Sequence, residues 1–110
     1  MHASQWQAVG PAETVPEGAA KEVVVGGNAI AIFRHEGQLF ALDAMCAHQG
    51  GPIAQGAVAE GCVTCPWHGW QYELATGKQT IHNQKLLETH EVKEEEGTLW
   101  VRLGEGGSPR

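Results

Sequence analysis

Two short stretches constrain this chain more than anything else in it: Cys46-Ala47-His48 and, after sixteen intervening residues, Cys65-Pro66-Trp67-His68. Each sets one cysteine and one histidine on a short loop, so together they offer two thiolates and two imidazoles to a single site. Cysteine ligates as thiolate and histidine through a neutral ring nitrogen, which suits either tetrahedral zinc or an iron–sulfur cluster with mixed ligands. A lone Cys-x-His or Cys-x-x-His carries little weight, because cysteine is often a buried apolar residue and histidine an ordinary strand residue. The two halves together form a metal-centre signature.

The flanks carry small and stiff residues: Gln49-Gly50-Gly51-Pro52 follows the first histidine and Gly69 the second. Glycine removes the Cβ and permits positive φ, and Pro52 and Pro66 stiffen loops that must present ligands in fixed geometry. The pattern C-A-H-Q-G-G-P-I with C-P-W-H-G-W-Q-Y closely resembles the Rieske family, and the likeness runs loosely from about Trp6 to Leu103. That resemblance implies a [2Fe–2S] cluster, one per chain, with Cys46 and Cys65 on the inner iron and His48 and His68 on the outer, more exposed iron. In the respiratory branch of the family a further cysteine in each loop forms a disulfide; Gly51 and Trp67 hold those places here, so the staple is impossible. That branch also has a cluster-bonding serine where this chain has Trp70, while the tyrosine two residues on is kept as Tyr72. Hydrogen bonds to cluster sulfur stabilise the reduced state, so losing one donor predicts a potential at the low end of the Rieske range, on the order of −150 mV.

A structural zinc site is the competing reading, and Cys62-Val63-Thr64-Cys65 does resemble half of a zinc ribbon. A ribbon needs a second C-x-x-C or H-x-x-H knuckle, however, and Cys46-Ala47-His48 is too tight for one. Zinc ranks well behind the cluster.

At 110 residues the chain reads as one domain, 1–110, with cluster-binding loops at about 45–53 and 65–72 and a short flexible tail at about 104–110. Rieske oxygenases follow the cluster domain with a longer catalytic domain that binds iron through two histidines and a carboxylate. After Trp70 only His82 and His90 remain, which points to a carrier rather than the oxygenase itself. Of three cysteines, two are assigned to the cluster and Cys62 is left as a small apolar filler on the strand entering the second loop, so no disulfide framework exists and a reducing compartment is expected. No apolar run reaches the length of a transmembrane helix, and Met1-His2-Ala3-Ser4 lacks the basic start of a signal peptide, so the expectation is a soluble cytoplasmic protein that binds no membrane.

The formal charge of −6 argues against nucleic acid, which selects basic faces. An acidic carrier suits docking onto a basic patch of a redox partner. Much of the acid lies in Glu91-Val92-Lys93-Glu94-Glu95-Glu96, which reads better as a solvated hairpin end than as a docking site.

Secondary structure reads as short strands separated by turn signals. Strands are predicted at 6–9, 21–25, 29–33, 39–42, 61–64, 71–74, 87–92 and 98–103, with a hairpin connection at Gly26-Gly27-Asn28 and turns at Pro16-Glu17-Gly18, His35-Glu36-Gly37, Ala75-Thr76-Gly77-Lys78 and Glu96-Gly97. No segment has helical period with caps. The expected fold is all-β: a Rieske-type domain of stacked antiparallel sheets with the two cluster-binding loops at one tip. Trp6 and Trp100 read as core, Trp67 and Trp70 as packing that fixes the second loop, His35 as a solvated turn residue, and His82 and His90 as ordinary polar or strand residues. Relatives place a proline-containing third loop over the cluster where this chain has Thr80-Ile81-His82-Asn83-Gln84-Lys85.

The resemblance implies a Rieske-type ferredoxin, an electron-transfer protein and not itself an enzyme. It would be a monomer passing single electrons from a flavin-dependent reductase to a terminal oxygenase, most plausibly an aromatic-ring-hydroxylating dioxygenase. Imidazole is neutral where thiolate is charged, which raises the potential above that of all-cysteine ferredoxins. The outer ring nitrogens of His48 and His68 lose protons more readily against oxidised iron, so the potential is expected to fall at alkaline pH. Two other readings stay open: a Rieske subunit held in a permanent oxidoreductase complex such as nitrite reductase, and a zinc-stabilised interaction module.

Overall fold

In the computed structural model, residues 6–45, 51–67, 69–81 and 83–104 are described. Among the described residues eleven strands run in the order β1 Gln7–Pro11, β2 Ala20–Val25, β3 Asn28–His35, β4 Gln38–Asp43, β5 Ala57–Ala59, β6 Cys62–Thr64, β7 Gln71–Glu73, β8 Lys78–Gln79, β9 Gln84–Lys85, β10 Thr89–Glu95 and β11 Thr98–Arg102. Single 3-10 turns at Ala12–Thr14 and Ile53–Gln55 are the only helical segments among the described residues. The strands form a six-stranded sheet, β1-β11-β10-β4-β3-β2, and a five-stranded sheet, β5-β6-β7-β8-β9, in which neighbours pair antiparallel. The all-β expectation holds.

Four hairpins use two-residue turns with both residues at positive φ: Gly26-Gly27, Glu36-Gly37, Glu60-Gly61 and Glu96-Gly97. Such turns match the right-handed twist of the flanking strands, which fixes register, and the side chains of Glu36, Glu60 and Glu96 are left in solvent. Asn28 begins β3 rather than ending the turn, and its amide donates back to the carbonyls of Val25 and Gly26.

The run Ala29-Ile30-Ala31-Ile32-Phe33 builds a strand covered on both faces. Ile30 and Ile32 pack with Val15, Val25, Ala41, Leu99 and Val101 in one core on one face of the large sheet. Ala31 and Phe33 point the other way and pack with Leu42, Ala44, Ile53, Val63, Tyr72, Leu74 and Leu87, joining the large sheet to the small one. At ~25 cal/mol per Å² of apolar surface, each such buried Ile or Phe contributes about 1.5–3 kcal/mol, which makes this second core the element that holds the small sheet in place.

Several side chains depart from expectation. On β11, Leu99 and Val101 are buried and Trp100 alternates to the outer face. Trp6 precedes β1 and lies half-buried, with Lys93 Nζ 4.4 Å and Arg102 Cζ 4.8 Å from its ring centroid, so neither tryptophan is core. His35 is not a solvated turn residue: it ends β3, half-buried, and its Nε2 accepts the Gly61 N–H at 3.2 Å, tying the large sheet to the β5–β6 turn. Strands β5, β8 and β9 were not expected: β5, Ala57–Ala59, is too short to show a period, and the two-residue β8 and β9 carry no apolar residue.

Candidate metal centre

The first candidate loop leaves β4 at Asp43 and is closed at its base. Met45 bridges to Pro52, and the Ile53 N–H donates to the Ala44 carbonyl at 2.9 Å, with Ile53 fully buried as the anchor. Cys46 and His48 lie between these closure points and outside the described residues, as do His68 in the second loop and His82 in the third.

The second loop leaves β6 at Thr64 and returns into β7 at Gln71. The Cys65 N–H donates to the Trp70 carbonyl at 2.7 Å and pinches the loop shut, and Gly69 at φ +77 turns the chain back. Cys65 is buried, and its Sγ accepts the Trp67 N–H at 3.4 Å, a donor of the kind that stabilises a thiolate ligand. Trp70 packs against the core, as expected, while Trp67 is half exposed and does not. Tyr72 is fully buried one residue into β7, beneath the loop.

Gly51 and Cys65 bring the two loops together. A β-carbon at Gly51 would stand 2.7 Å from Cys65 Sγ and 3.1 Å from Trp67 Cγ. The position thus demands glycine for space, and that space lies directly over the sulfur. A cradle of this shape, a buried cysteine with a backbone donor, and the two cysteines and two histidines of the loops fit a [2Fe–2S] group. Among the described residues no three His, Cys, Asp or Glu side chains cluster in a way that could hold a metal ion, because three of the four candidate ligands lie outside them.

The root of the first loop is clasped from below by a pair that sequence reasoning missed. His90 has no exposed side-chain surface; its Nδ1 accepts the Gly104 N–H at 2.9 Å, so Nε2–H donates to Asp43 Oδ1, also at 2.9 Å. Asp43 Oδ2 accepts the Glu88 N–H at 3.2 Å, and the Asp43 N–H donates to the Glu88 carbonyl at 3.0 Å. Three segments are thereby joined three residues before Cys46.

The third loop spans β8 to β9; the Thr80 N–H donates to the Gln71 carbonyl at 3.0 Å, which places this loop at the same end of the small sheet as the second. Cys62, on β6, is half-buried, and its thiol is pushed up by burial and then by the negative charges of Glu73 and Glu60.

The sequence profile of the Rieske [2Fe–2S] domain matches residues 5–91. Cholesterol 7-desaturase nvd of Hemicentrotus pulcherrimus is 35% identical over 80 residues, 71% of this chain and 17% of that protein. The chain spans between 14% and 47% of the length of three such curated relatives. A chain in the complex of reduced oxygenase and oxidised ferredoxin of carbazole 1,9a-dioxygenase superposes with a TM-score of 0.80 at 25% identity, covering 97% of both chains. The ferredoxin of carbazole 1,9a-dioxygenase from Nocardioides aromaticivorans IC177 shares the fold at a TM-score of 0.81 and 19% identity, over 92% of this chain and all of that one. The chain therefore belongs to the Rieske [2Fe–2S] domain family, which implies a Rieske-type [2Fe–2S] cluster.

Proposed function

We propose that this protein is a one-electron carrier, a Rieske-type ferredoxin, that delivers electrons to a terminal oxygenase of an aromatic-ring-hydroxylating system. The observation that carries the reading is the likeness over 97% of both chains to a component of an oxygenase–ferredoxin complex. In this reading the whole chain, 1–110, is a single domain acting as a monomer in the cytoplasm. Its electrons come from a flavin-dependent reductase. Among the described residues no helix is long and apolar enough to cross a membrane.

Cys46 and Cys65 as thiolates and His48 and His68 through neutral ring nitrogens would hold the cluster. When bound, the cluster supplies reversible one-electron chemistry. The chain's own residues do the rest. Gly51 leaves room over Cys65 Sγ, the Trp67 N–H donates to that sulfur, and the Cys65–Trp70 hydrogen bond keeps the second loop pinched. Asp43 and His90 anchor the strand that delivers Cys46.

A second reading, a Rieske subunit fixed in a larger oxidoreductase, draws on the curated relatives, of which the chain spans only a part. Gel filtration after native purification separates the two. A carrier elutes as a red-brown chain of its own size; a fixed subunit elutes with its partner at stoichiometric yield.

A further inference from the structure

Asp43 is the charged residue closest in sequence to the candidate ligands. It stands three residues before Cys46, and residues 44–59 contain no Asp, Glu, Lys or Arg. Covalent geometry alone keeps its Cα within about 11 Å of the Cys46 Cα. Ala44, the next residue, is buried in the same apolar core as Cys65, so Asp43 is tied by the chain to one cysteine and by packing to the other. The second loop, 61–72, and the third, 79–84, carry no such charge either.

The surroundings of this carboxylate preserve its charge and limit the access of water to it. The Asp43 side chain is 16% exposed; Oδ1 accepts the His90 Nε2–H at 2.9 Å and Oδ2 the Glu88 N–H at 3.2 Å. His90 Nδ1 accepts the Gly104 N–H, so the ring proton is on Nε2 and the imidazole is neutral. Neutral donors hold an anion in place without cancelling its charge. The neighbouring Glu88 carboxylate pairs with Lys85 at 3.3 Å, and the two opposite charges leave little net field. Other acidic residues are remote. β10 starts at Thr89 opposite Leu42 and runs away from the first loop, so Glu94, Glu95 and Glu96 lie roughly 20 Å from that start at ~3.3 Å per residue. Exposed charges at that range are screened at physiological salt, where the screening length is about 8 Å, whereas a largely buried charge is screened much less.

We propose that Asp43 sets the reduction potential of the centre, holding it low through the negative charge of its carboxylate, and that His90 is the neutral positioning residue that aims this carboxylate. The role rests on the electron-carrier reading and makes the carrier a stronger donor to its acceptor. Reduction adds one electron and leaves the site one unit more negative, so a fixed negative charge nearby opposes it and favours the return step by the same factor. Across about 10–12 Å, at an effective dielectric constant of about 20, two unit charges interact strongly enough to displace a one-electron equilibrium about tenfold.

Redox titration of the purified, cluster-loaded protein, followed by visible absorption, tests this, with iron content and EPR recorded for each variant. Asp43→Asn is expected to raise the potential by about tenfold in the ratio of reduced to oxidised protein, ~59 mV for one electron. The difference from wild type persists between ~0.02 and ~0.5 M salt. Asp43→Asn combined with His90→Ala gives the same rise, and it carries the test if the single variant fails to fold. His90→Ala alone keeps the carboxylate and stays within about twofold of wild type, as does the remote Glu96→Gln. A protein with Asn at position 43 that keeps its iron and stays within about twofold of wild type overturns the proposal. So does a His90→Ala protein that reproduces the full rise, because the geometry of the clasp and not the charge would then set the potential. A wild-type chain purified without iron overturns the carrier reading instead, a failure that metal analysis reveals before any potential is measured.

Discussion

Gly51 lies against Cys65 so closely that a β-carbon added to it would stand 2.7 Å from Sγ. Real β-carbons do not approach a neighbour that closely, so Gly51→Ala forces one loop off the other. Overpacking of this kind costs about 1–3 kcal/mol. The expected outcome is a protein that keeps its β-sheet circular dichroism but holds less than about half the wild-type iron, as measured by metal analysis. Full iron content would show that the two loops can part without losing the site.

His90 and Asp43 make a second dependency. His90→Ala leaves a largely buried carboxylate and the Gly104 N–H without their imidazole partner. Asp43 keeps the Glu88 N–H but loses one charge-assisted partner, and a buried group that loses its partner costs about 1–3 kcal/mol, so urea unfolding should show a loss of roughly 1–3 kcal/mol. Asp43→Asn combined with His90→Ala should cost less than the sum of the single changes, because the pair is coupled.

Glu17 links stability to acid. Its carboxyl is held below the ordinary value of 4.5, first by the Gly37 N–H and then by the Glu36 N–H. A depressed folded value means that the contribution is complete above the ordinary value and is lost as pH falls through the folded one. Glu17→Gln should therefore lower the melting temperature at neutral pH, and the gap from wild type should close as pH drops below about 4.5. A gap that stays constant into acid would contradict this assignment.

Cys62 should be inert. Burial, and then Glu73 and Glu60, raise its thiol, so the reactive thiolate is scarce near neutrality. Iodoacetamide should modify it more slowly than a free cysteine at about pH 8, and Cys62→Ala should keep the iron.

The fold was legible wherever apolar residues set a period. Ala29-Ile30-Ala31-Ile32-Phe33 announces a strand, though not its burial on both faces, and Gly26-Gly27, Glu36-Gly37 and Glu96-Gly97 announce their turns, whereas Glu60-Gly61 was missed because Gly61 was read into the following strand. The small sheet was only partly legible, because Lys78–Gln79 and Gln84–Lys85 hold their places through pairing rather than pattern. Trp100 was misread because side-chain size suggested burial, whereas alternation with Leu99 and Val101 decides its face. Of the candidate ligands, Cys65 is placed by the structure against the other loop, while Cys46, His48 and His68 lie outside the described residues. The His90–Asp43 clasp has no local signal: Thr89-His90-Glu91 reads as a polar strand, and only the β4–β10 pairing reveals the contact.

The central claim is a cluster held by two cysteines and two histidines. Visible absorption and reduced-state EPR of anaerobically purified protein, with iron and sulfide analysis, test it most directly. The account predicts a red-brown chain with ~2 irons and ~2 sulfides and the spectrum of a mixed histidine–cysteine [2Fe–2S] centre. A colourless chain carrying one zinc, at about one per molecule, would contradict it.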